Sequence, residues 1–400
     1  VLPATFIAQR SPYIQFTDEG DNTMKETIGE HLKRSGVSRR EFAVFCGKLM
    51  IAAPFGLALT NSLSVDAVAA EVAQARRPSV IWLHMQDCTG CSETLLRPSE
   101  PDLATLLFDV ISLDYHETVM APSGKDAELA LQQAMKENDG KYVLVVEGSI
   151  PLKDNGQYLR LAGRSGIEVL HDVAAHSAAV IAIGSCASWG GIGSSAPNPT
   201  GAVGVDSLIE TKPIVNIPGC PPNPYVFLAT VLQYARTGTL PALDKLKRPK
   251  FAYDRVIHEQ CPRRPHFDAG RFAKVFGDDG HRQGWCLYRL GCKGPSTHAA
   301  CSTRSFNEVV DAWPIGIGHP CFGCTEQNVA WTIPLHTTVD IERPTPPDSY
   351  PPIFSEHKGV SPIATGVAGL VGGALAGAGF LASRNMSQAT PTDDSDKTQE

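Results

Sequence analysis

The sequence predicts an α/β fold: a parallel sheet covered by helices, followed by a loop-rich segment held together by metal. Three observations predict it. Between about 76 and 240, short apolar runs alternate with helix-capable stretches in the order strand, loop, helix, which is the pattern of a parallel sheet buried on both faces. Three of those runs end in cysteine-bearing loops, at Cys88 with Cys91, at Cys186 and at Cys220. Beyond about 250 strand-like runs become hard to find, and His258, Cys261, Cys286, Cys292, Cys301, Cys321 and Cys324 crowd into 67 residues.

The first strand is expected at 79–84, where Val80 to Leu83 form an apolar run bounded by Pro78 and a polar loop. Further strands are expected at 108–113, 142–147, 179–184 and 213–217, with helix-capable stretches at 125–138 and 172–179. A flavodoxin-like strand order fits five such units. In an open sheet of this kind, sites form outside the carboxyl ends of the strands, so Gly148-Ser149-Ile150-Pro151 after the third strand should face the same edge as the cysteines. No Gly-x-Gly-x-x-Gly follows the first strand, which argues against a dinucleotide. A flavin is not excluded by the sequence, but the edge where it would sit is occupied by cysteines.

Cys88 and Cys91 form a C-x-x-C loop, a spacing shared by redox-active, zinc-binding and cluster-binding sites. Two thiolates are too few, because a tetrahedral zinc or an iron–sulfur cubane wants four ligands. Cys186 and Cys220 supply the other two if the three strands end at one edge. A lone cysteine is ordinarily a buried, inert thiol. Three strand–cysteine loops of the same layout outweigh that reading.

The residues around these positions carry a resemblance. Cys88-Thr89-Gly90-Cys91-Ser92-Glu93, Gly184-Ser185-Cys186-Ala187-Ser188-Trp189-Gly190-Gly191 and Ile217-Pro218-Gly219-Cys220-Pro221-Pro222-Asn223-Pro224 resemble the proximal-cluster motifs of nickel–iron hydrogenase small subunits. The likeness runs from about 78 to 330 and leans towards the membrane-associated, hydrogenase-2-type uptake enzymes. It implies a proximal [4Fe-4S] cluster on Cys88, Cys91, Cys186 and Cys220. It also implies a distal [4Fe-4S] cluster on His258, Cys261, Cys286 and Cys292, with the match at Arg263-Arg264-Pro265-His266-Phe267-Asp268-Ala269-Gly270-Arg271 in support of His258. A medial [3Fe-4S] cluster on Cys301, Cys321 and Cys324 completes the set. Pro314, in Ala312-Trp313-Pro314-Ile315-Gly316, stands where relatives with a four-iron medial cluster carry a cysteine. Oxygen-tolerant relatives carry two extra cysteines near the proximal cluster, whereas this chain has Gly90 and Gly191 in those loops. The resemblance therefore implies an ordinary proximal cluster and an oxygen-sensitive enzyme.

Nothing in the chain reads as a complete catalytic centre. By resemblance the nickel–iron site lies in a separate large subunit, and electrons from hydrogen pass through the three clusters to a membrane electron-transfer subunit, ferredoxin-like or quinone-linked, and on to the quinone pool. A dimer of such heterodimers is a further expectation. Glu93 is a candidate for moving protons at the subunit boundary; a first-turn acid stabilising a helix N-terminus is the plainer account. Two rivals are a polyferredoxin-like carrier without a catalytic partner and the cluster-bearing component of quinone-reducing respiratory complexes. The six cysteines from 261 to 324 argue against the second.

Composition fits this picture. The chain is 42% hydrophobic and 19% charged, as an ordinary globular protein is. Its net charge of −7 gives no electrostatic case for nucleic acid. Eleven cysteines in 400 residues, ten of them between 88 and 324, are too dispersed for a small disulfide scaffold.

The ends of the chain read as addresses. Residues 1–34 are polar and without periodicity, and are expected to be disordered. Ser38-Arg39-Arg40-Glu41-Phe42, an apolar stretch from Leu49 to Val65, and small-residue sites at 67–69 and 73–75 have the layout of a twin-arginine export signal. Cys46 lies inside it. At the other end a proline-rich linker precedes 25 uncharged residues between Lys358 and Arg384, enough for a transmembrane helix. Gly369, Gly373 and Gly377 place small residues on one face of that helix. The expected organisation is an extension and signal peptide at 1–75 and a flavodoxin-like domain with the proximal cluster at 76–245. A medial and distal cluster domain follows at 246–340, then a linker at 341–358, an anchor at 359–384 and a polar tail at 385–400. The folded body is expected at the periplasmic face of the cytoplasmic membrane.

Overall fold

The computed structural model describes residues 27–30, 38, 77–98, 111–304, 306, 309–342, 344–347 and 350. The twin-arginine segment, apart from Ser38, and the C-terminal anchor lie outside the described residues. Among the described residues, no helix is long and apolar enough to cross a membrane.

Five strands form one sheet: β1 (Ser79–His84), β2 (Ser112–His116), β3 (Val143–Glu147), β4 (Ala179–Ile183) and β5 (Ile214–Ile217). Their order is β2-β1-β3-β4-β5 and every pairing is parallel. This is the flavodoxin-like order, with its switch point between β1 and β3. The strand faces alternate with period two. Val80, Trp82, Val143, Val145, Ile181 and Ile183 pack with helix α5 (Pro224–Thr237) and Leu95 of α1 (Gly90–Leu95). Ile81, Leu83, Leu144, Val146, Val180 and Ala182 pack with α2 (Lys125–Glu137) and α3 (Gly166–His176). A fifth helix, α4 (Gly184–Trp189), follows β4 directly.

Three expectations about local structure are corrected. The second strand is Ser112–His116, not 108–113. It is an edge strand interrupted by polar residues, and its register shifts against β1, leaving Asp114 as the extra residue. Asp114 accepts from Ser79, from Ser112 Oγ at 2.5 Å and from Asn138 Nδ2 at 3.3 Å. The helix expected at 172–179 is Gly166–His176. Ser165 and Glu168 form a capping box that fixes its start: the Glu168 N–H donates to Ser165 Oγ at 3.3 Å, and the Ser165 N–H to Glu168 Oε2 at 2.7 Å. The N-terminal extension, expected to be disordered, has structure at Thr27–Glu30. Thr27 and Glu30 hydrogen-bond each other, and Ile28 is fully buried in the layer with Val80 and Trp82.

After about residue 250 the chain turns through single helical turns, such as Lys250–Tyr253, Arg264–Asp268 and Asp279–Arg282, and isolated bridges. Its apolar core is Ile257, Cys261, Ala273, Leu287, Leu290, Cys292, Ala299, Ile315 and Cys321. Three of these nine are thiols, so the segment buries too little hydrocarbon to hold itself and depends on other fastenings. The start of the stretch read as a linker is tied down: Arg264 Nη2 donates to the carbonyls of Pro344 and Thr345 at 3.1 and 2.8 Å, and Tyr350 donates to Asp268 at 3.0 Å.

Candidate metal centres

The first group of thiols sits at the carboxyl edge of the sheet. Cys88 lies in the loop after β1, Cys91 in the first turn of α1, Cys186 in α4 after β4, and Cys220 in the loop after β5. Their surroundings are shaped by glycines at which a Cβ would crowd the sulfurs. At Gly184, with φ +82°, a Cβ would lie 2.4 Å from Cys91 Sγ. At Gly191, with φ +52°, it would lie 2.6 Å from Cys186 Sγ. The four thiols share one electrostatic neighbourhood. Burial pushes the Cys91 thiol well up, and the Glu147 carboxylate and the other three sulfurs add to that. Burial and the Cys220 sulfur push Cys186 up to about 11. Such thiols give up their protons to a cationic metal centre rather than to water.

Glu147, at the end of β3 and 1% exposed, seats this loop. Its Oε1 accepts from the Cys91 N–H at 2.9 Å. Its Oε2 accepts from the Ser92 N–H at 3.1 Å, Ser92 Oγ at 2.5 Å and Trp82 Nε1 at 3.1 Å. The N–H groups of a first helical turn have no partner within the helix, and here a strand carboxylate supplies one. His84 and Asp87 pair beside it, and His116 contacts Ser92 Oγ at 3.1 Å. Burial lowers the His84 pKa, but the hydrogen bond and charge of Asp87, with the Glu147 charge, more than offset this and raise it overall. His116 is pushed down to about 4 by burial and by His84. Glu93 instead lies on the exposed side of α1 in an ion pair with Arg97.

A second site opens beyond Cys220. A cavity of about 220 Å³ is lined by Cys220, Cys301, Cys324, Trp313 and Pro314. Cys321 is close to Cys301 and Cys324 electrostatically and, like them, has its pKa raised mainly by burial. Ser185 Oγ donates to the Cys324 carbonyl at 2.5 Å, tying this site to the first. A third, smaller pocket is lined by His258, Cys261, Cys286 and Cys292 together. Burial and then the Arg264 charge push His258 down to about 4, which keeps its imidazole neutral and able to act as a ligand. Its Nε2 is buried and has no hydrogen-bond partner among the described residues. Burial drives Cys261 and Cys286 up to about 12.

These donors fit iron–sulfur clusters better than single ions. Four sulfurs about 2.3 Å from one zinc lie roughly 3.8 Å apart. Among the described residues, the group of metal-ligating side chains whose ligand atoms all approach within 4.8 Å is His84, Asp87 and Glu147, not a set of thiols. A cubane spreads its ligands more widely, and the unpartnered imidazole beside three raised thiols matches a donor set of that kind.

Comparison with known proteins identifies the family. Residues 253–335 match the family model for the C-terminal region of the NiFe/NiFeSe hydrogenase small subunit, and residues 88–234 match that of the 20 Kd subunit of NADH ubiquinone oxidoreductase. The chain is 46% identical to the hydrogenase-2 small chain of Escherichia coli K12 over 94% of its own length and 98% of that protein's. The chain belongs to the small subunits of nickel–iron hydrogenases. It is also 44% identical to the periplasmic [NiFe] hydrogenase small subunit 1 of Nitratidesulfovibrio vulgaris, over 76% of this chain and 93% of that one. The solved Ni-Fe-Se hydrogenase of Desulfomicrobium baculatum superposes with a TM-score of 0.61 at 34% identity, covering 66% of this chain and all of that one.

In this hydrogenase small subunit three histidines outside the cysteine-lined sites have structural partners, whereas the buried Nδ1 of His266 has no hydrogen-bond partner among the described residues. His281 contacts the Gly318 carbonyl at 2.7 Å, His298 pairs with Glu326 at 3.3 Å, and His319 contacts the Pro320 carbonyl at 2.8 Å. Glu147 was missed by reasoning on motifs; the available signal was an acid ending a fully apolar strand at the cysteine edge. The seat of Cys91 gives a test. Gly184→Ala should crowd Cys91 Sγ and reduce the iron bound per chain while leaving secondary structure intact, as measured by metal analysis beside circular dichroism. Unchanged iron content would show that Cys91 can move aside.

Proposed function

We propose that this protein passes electrons from hydrogen oxidation at the nickel–iron site of a large subunit to a membrane electron-transfer partner and the quinone pool. The proximal [4Fe-4S] cluster would be held by Cys88, Cys91, Cys186 and Cys220, the medial [3Fe-4S] cluster by Cys301, Cys321 and Cys324, and the distal [4Fe-4S] cluster by His258, Cys261, Cys286 and Cys292. Such clusters supply one-electron carriers whose potentials depend on ligand type, hydrogen bonds and burial. The residues present do the rest. Glu147 orients the Cys91 turn, neutral His258 replaces a thiolate, and Pro314 presents no ligand atom to the medial cavity.

One observation carries the reading of a heterodimer. Cys88 and Cys220 are exposed in this chain alone, whereas Cys261, Cys286, Cys292 and Cys321 are buried. A cluster at the open sheet edge needs a second protein to exclude water, while the far end of the line of sites is enclosed by this protein itself. A polyferredoxin-like carrier has no need of that asymmetry. The large subunit is thus expected on the proximal edge, and a dimer of heterodimers remains part of the proposal. Export by the twin-arginine route to the periplasmic face is supported by the Arg39-Arg40 signal and by the names of the periplasmic and uptake relatives. The decisive experiment is purification of the chain with whatever accompanies it. A partner containing nickel, about eleven irons on this chain and hydrogen-dependent dye reduction are expected; a chain that purifies alone with its iron complete would favour the free carrier.

The medial site gives a sharper expectation. The oxidised protein should show the near-isotropic paramagnetic signal of a three-iron cluster, and Pro314→Cys should convert it to a four-iron cluster of lower potential, since a thiolate adds negative charge. An intact oxidised sample without that signal would mean a fourth ligand is present. The anchor is tested separately. Deleting residues 359–384 should release the heterodimer from membranes with dye reduction retained, and persistence on washed membranes would place the attachment in a partner.

A further inference from the structure

Lys293 directly follows Cys292, and its side chain is wholly buried. Its Nζ donates to the backbone carbonyls of Gly291, Pro334, Leu335 and Thr337 at 3.1, 2.9, 3.1 and 2.7 Å. Its own N–H donates to the Cys321 carbonyl at 2.7 Å. Its backbone therefore stands between a residue read as a distal ligand and one read as a medial ligand, and its ammonium feels the charge of both sulfurs. Burial lowers the Lys293 pKa and the Cys292 and Cys321 sulfurs act against that; the geometry of the cage favours the charged form. An ammonium brings three donors to four acceptors, whereas a neutral amine would turn its lone pair against a carbonyl oxygen. Buried charges are ordinarily paired, yet the side-chain partners of this ammonium among the described residues are carbonyls, not carboxylates. The compensating negative charge has to come from elsewhere, and the thiolate-ligated clusters on either side would provide it.

We infer that Lys293 is a fixed counter-charge shared by the medial and distal clusters, which raises the reduction potentials of both. This rests on the cluster assignments proposed above. A positive charge in a poorly polarisable interior stabilises the electron each cluster accepts. One charge acting on two neighbours moves them in the same direction, so the step between them changes less than either potential does. Carbonyl dipoles hold the charge in place, and no change of protonation is needed.

The test is a redox titration of the whole heterodimer, followed by paramagnetic resonance, with iron counted in each sample. Lys293→Met should shift the medial and distal midpoints to lower potential and leave the proximal midpoint in place. Lys293→Arg, which keeps the charge, should return both towards the wild-type values. Unmoved medial and distal midpoints in Lys293→Met at full iron content would overturn the inference, as would a proximal shift of equal size. If Lys293→Met loses iron, Lys293→Arg decides: iron retained at wild-type midpoints upholds the charge, and iron lost there as well assigns Lys293 to packing alone. A wild-type protein without iron at these two sites would defeat the cluster assignment, a different failure from this one.

Discussion

The buried carboxylate of Glu147 is the interaction on which the first candidate metal site depends. It closes three elements on one another: β3, which carries it; β1, through Trp82 Nε1; and α1, through the N–H groups of Cys91 and Ser92. Removing it would leave those helix N–H groups buried without an acceptor, at about 1–3 kcal/mol each. Its negative charge also opposes ionisation of Cys91, so the seat that fixes the sulfur makes the free thiolate unfavourable. A bound metal centre reverses the balance, because it supplies the positive charge that the site lacks. The same atoms thus favour order of the loop and occupancy of the site together.

Beyond residue 245 buried cations take over the role that strands play in the sheet. Arg248 joins Asp244, Glu326 and the Thr325 carbonyl. Arg264 joins Asp268 to the segment at 344–345 and lies over the Phe267 ring. Lys293 gathers the carbonyls of 334–337. Each reaches across tens of residues of chain that form no regular ladder. Removing one partner from such a contact is costly because the other is left buried and uncompensated, although the intact contact contributes little net stability. These cations specify where the loops run more than they stabilise them. Stability of the segment then falls to the few apolar groups around Ile257 and Leu287 and to whatever metal the proposed ligands hold.

How much of this was legible in the sequence follows from the physics of each feature. Buried strands such as Val143–Glu147 and Ala179–Ile183 are continuous apolar runs, and the loops at their ends announce themselves by cysteine. The gathering of Cys88, Cys91, Cys186 and Cys220 followed from the sheet topology alone. The edge strand was misplaced because it is half polar and bulged, so no apolar run marks it. The third helix was shifted because its start lies in a capping box rather than in its apolar face. Glu147 and Lys293 were not read as anchors. Their roles depend on donors brought from 55 residues upstream and acceptors about 40 downstream. The place of Glu147 at the end of an apolar strand was a signal, whereas the Lys293 ammonium carries no mark in sequence that distinguishes a buried partner from a solvated one.

The three sites also differ in how the chain encloses them, and that difference orders them. Cys88 and Cys220 are exposed at the sheet edge with Cys91 and Cys186 half-buried; Cys301 and Cys324 are half-buried with Cys321 buried; and Cys261, Cys286 and Cys292 are all buried. Cys220 belongs to two surroundings at once, since it shares electrostatics with Cys88 and lines the cavity of Cys301 and Cys324. The Ser185 hydroxyl makes the same join, accepting from the Gly219 N–H at 3.1 Å and donating to the Cys324 carbonyl. Lys293 makes the next join, from Cys292 to Cys321. The sites are therefore linked pairwise by single residues, first to second at the sheet edge and second to third within the loops. A linear sequence of sites follows from those shared residues. Its open end is the one built on the parallel sheet, because the carboxyl edge of such a sheet is a surface, whereas a loop segment can close around whatever holds it together.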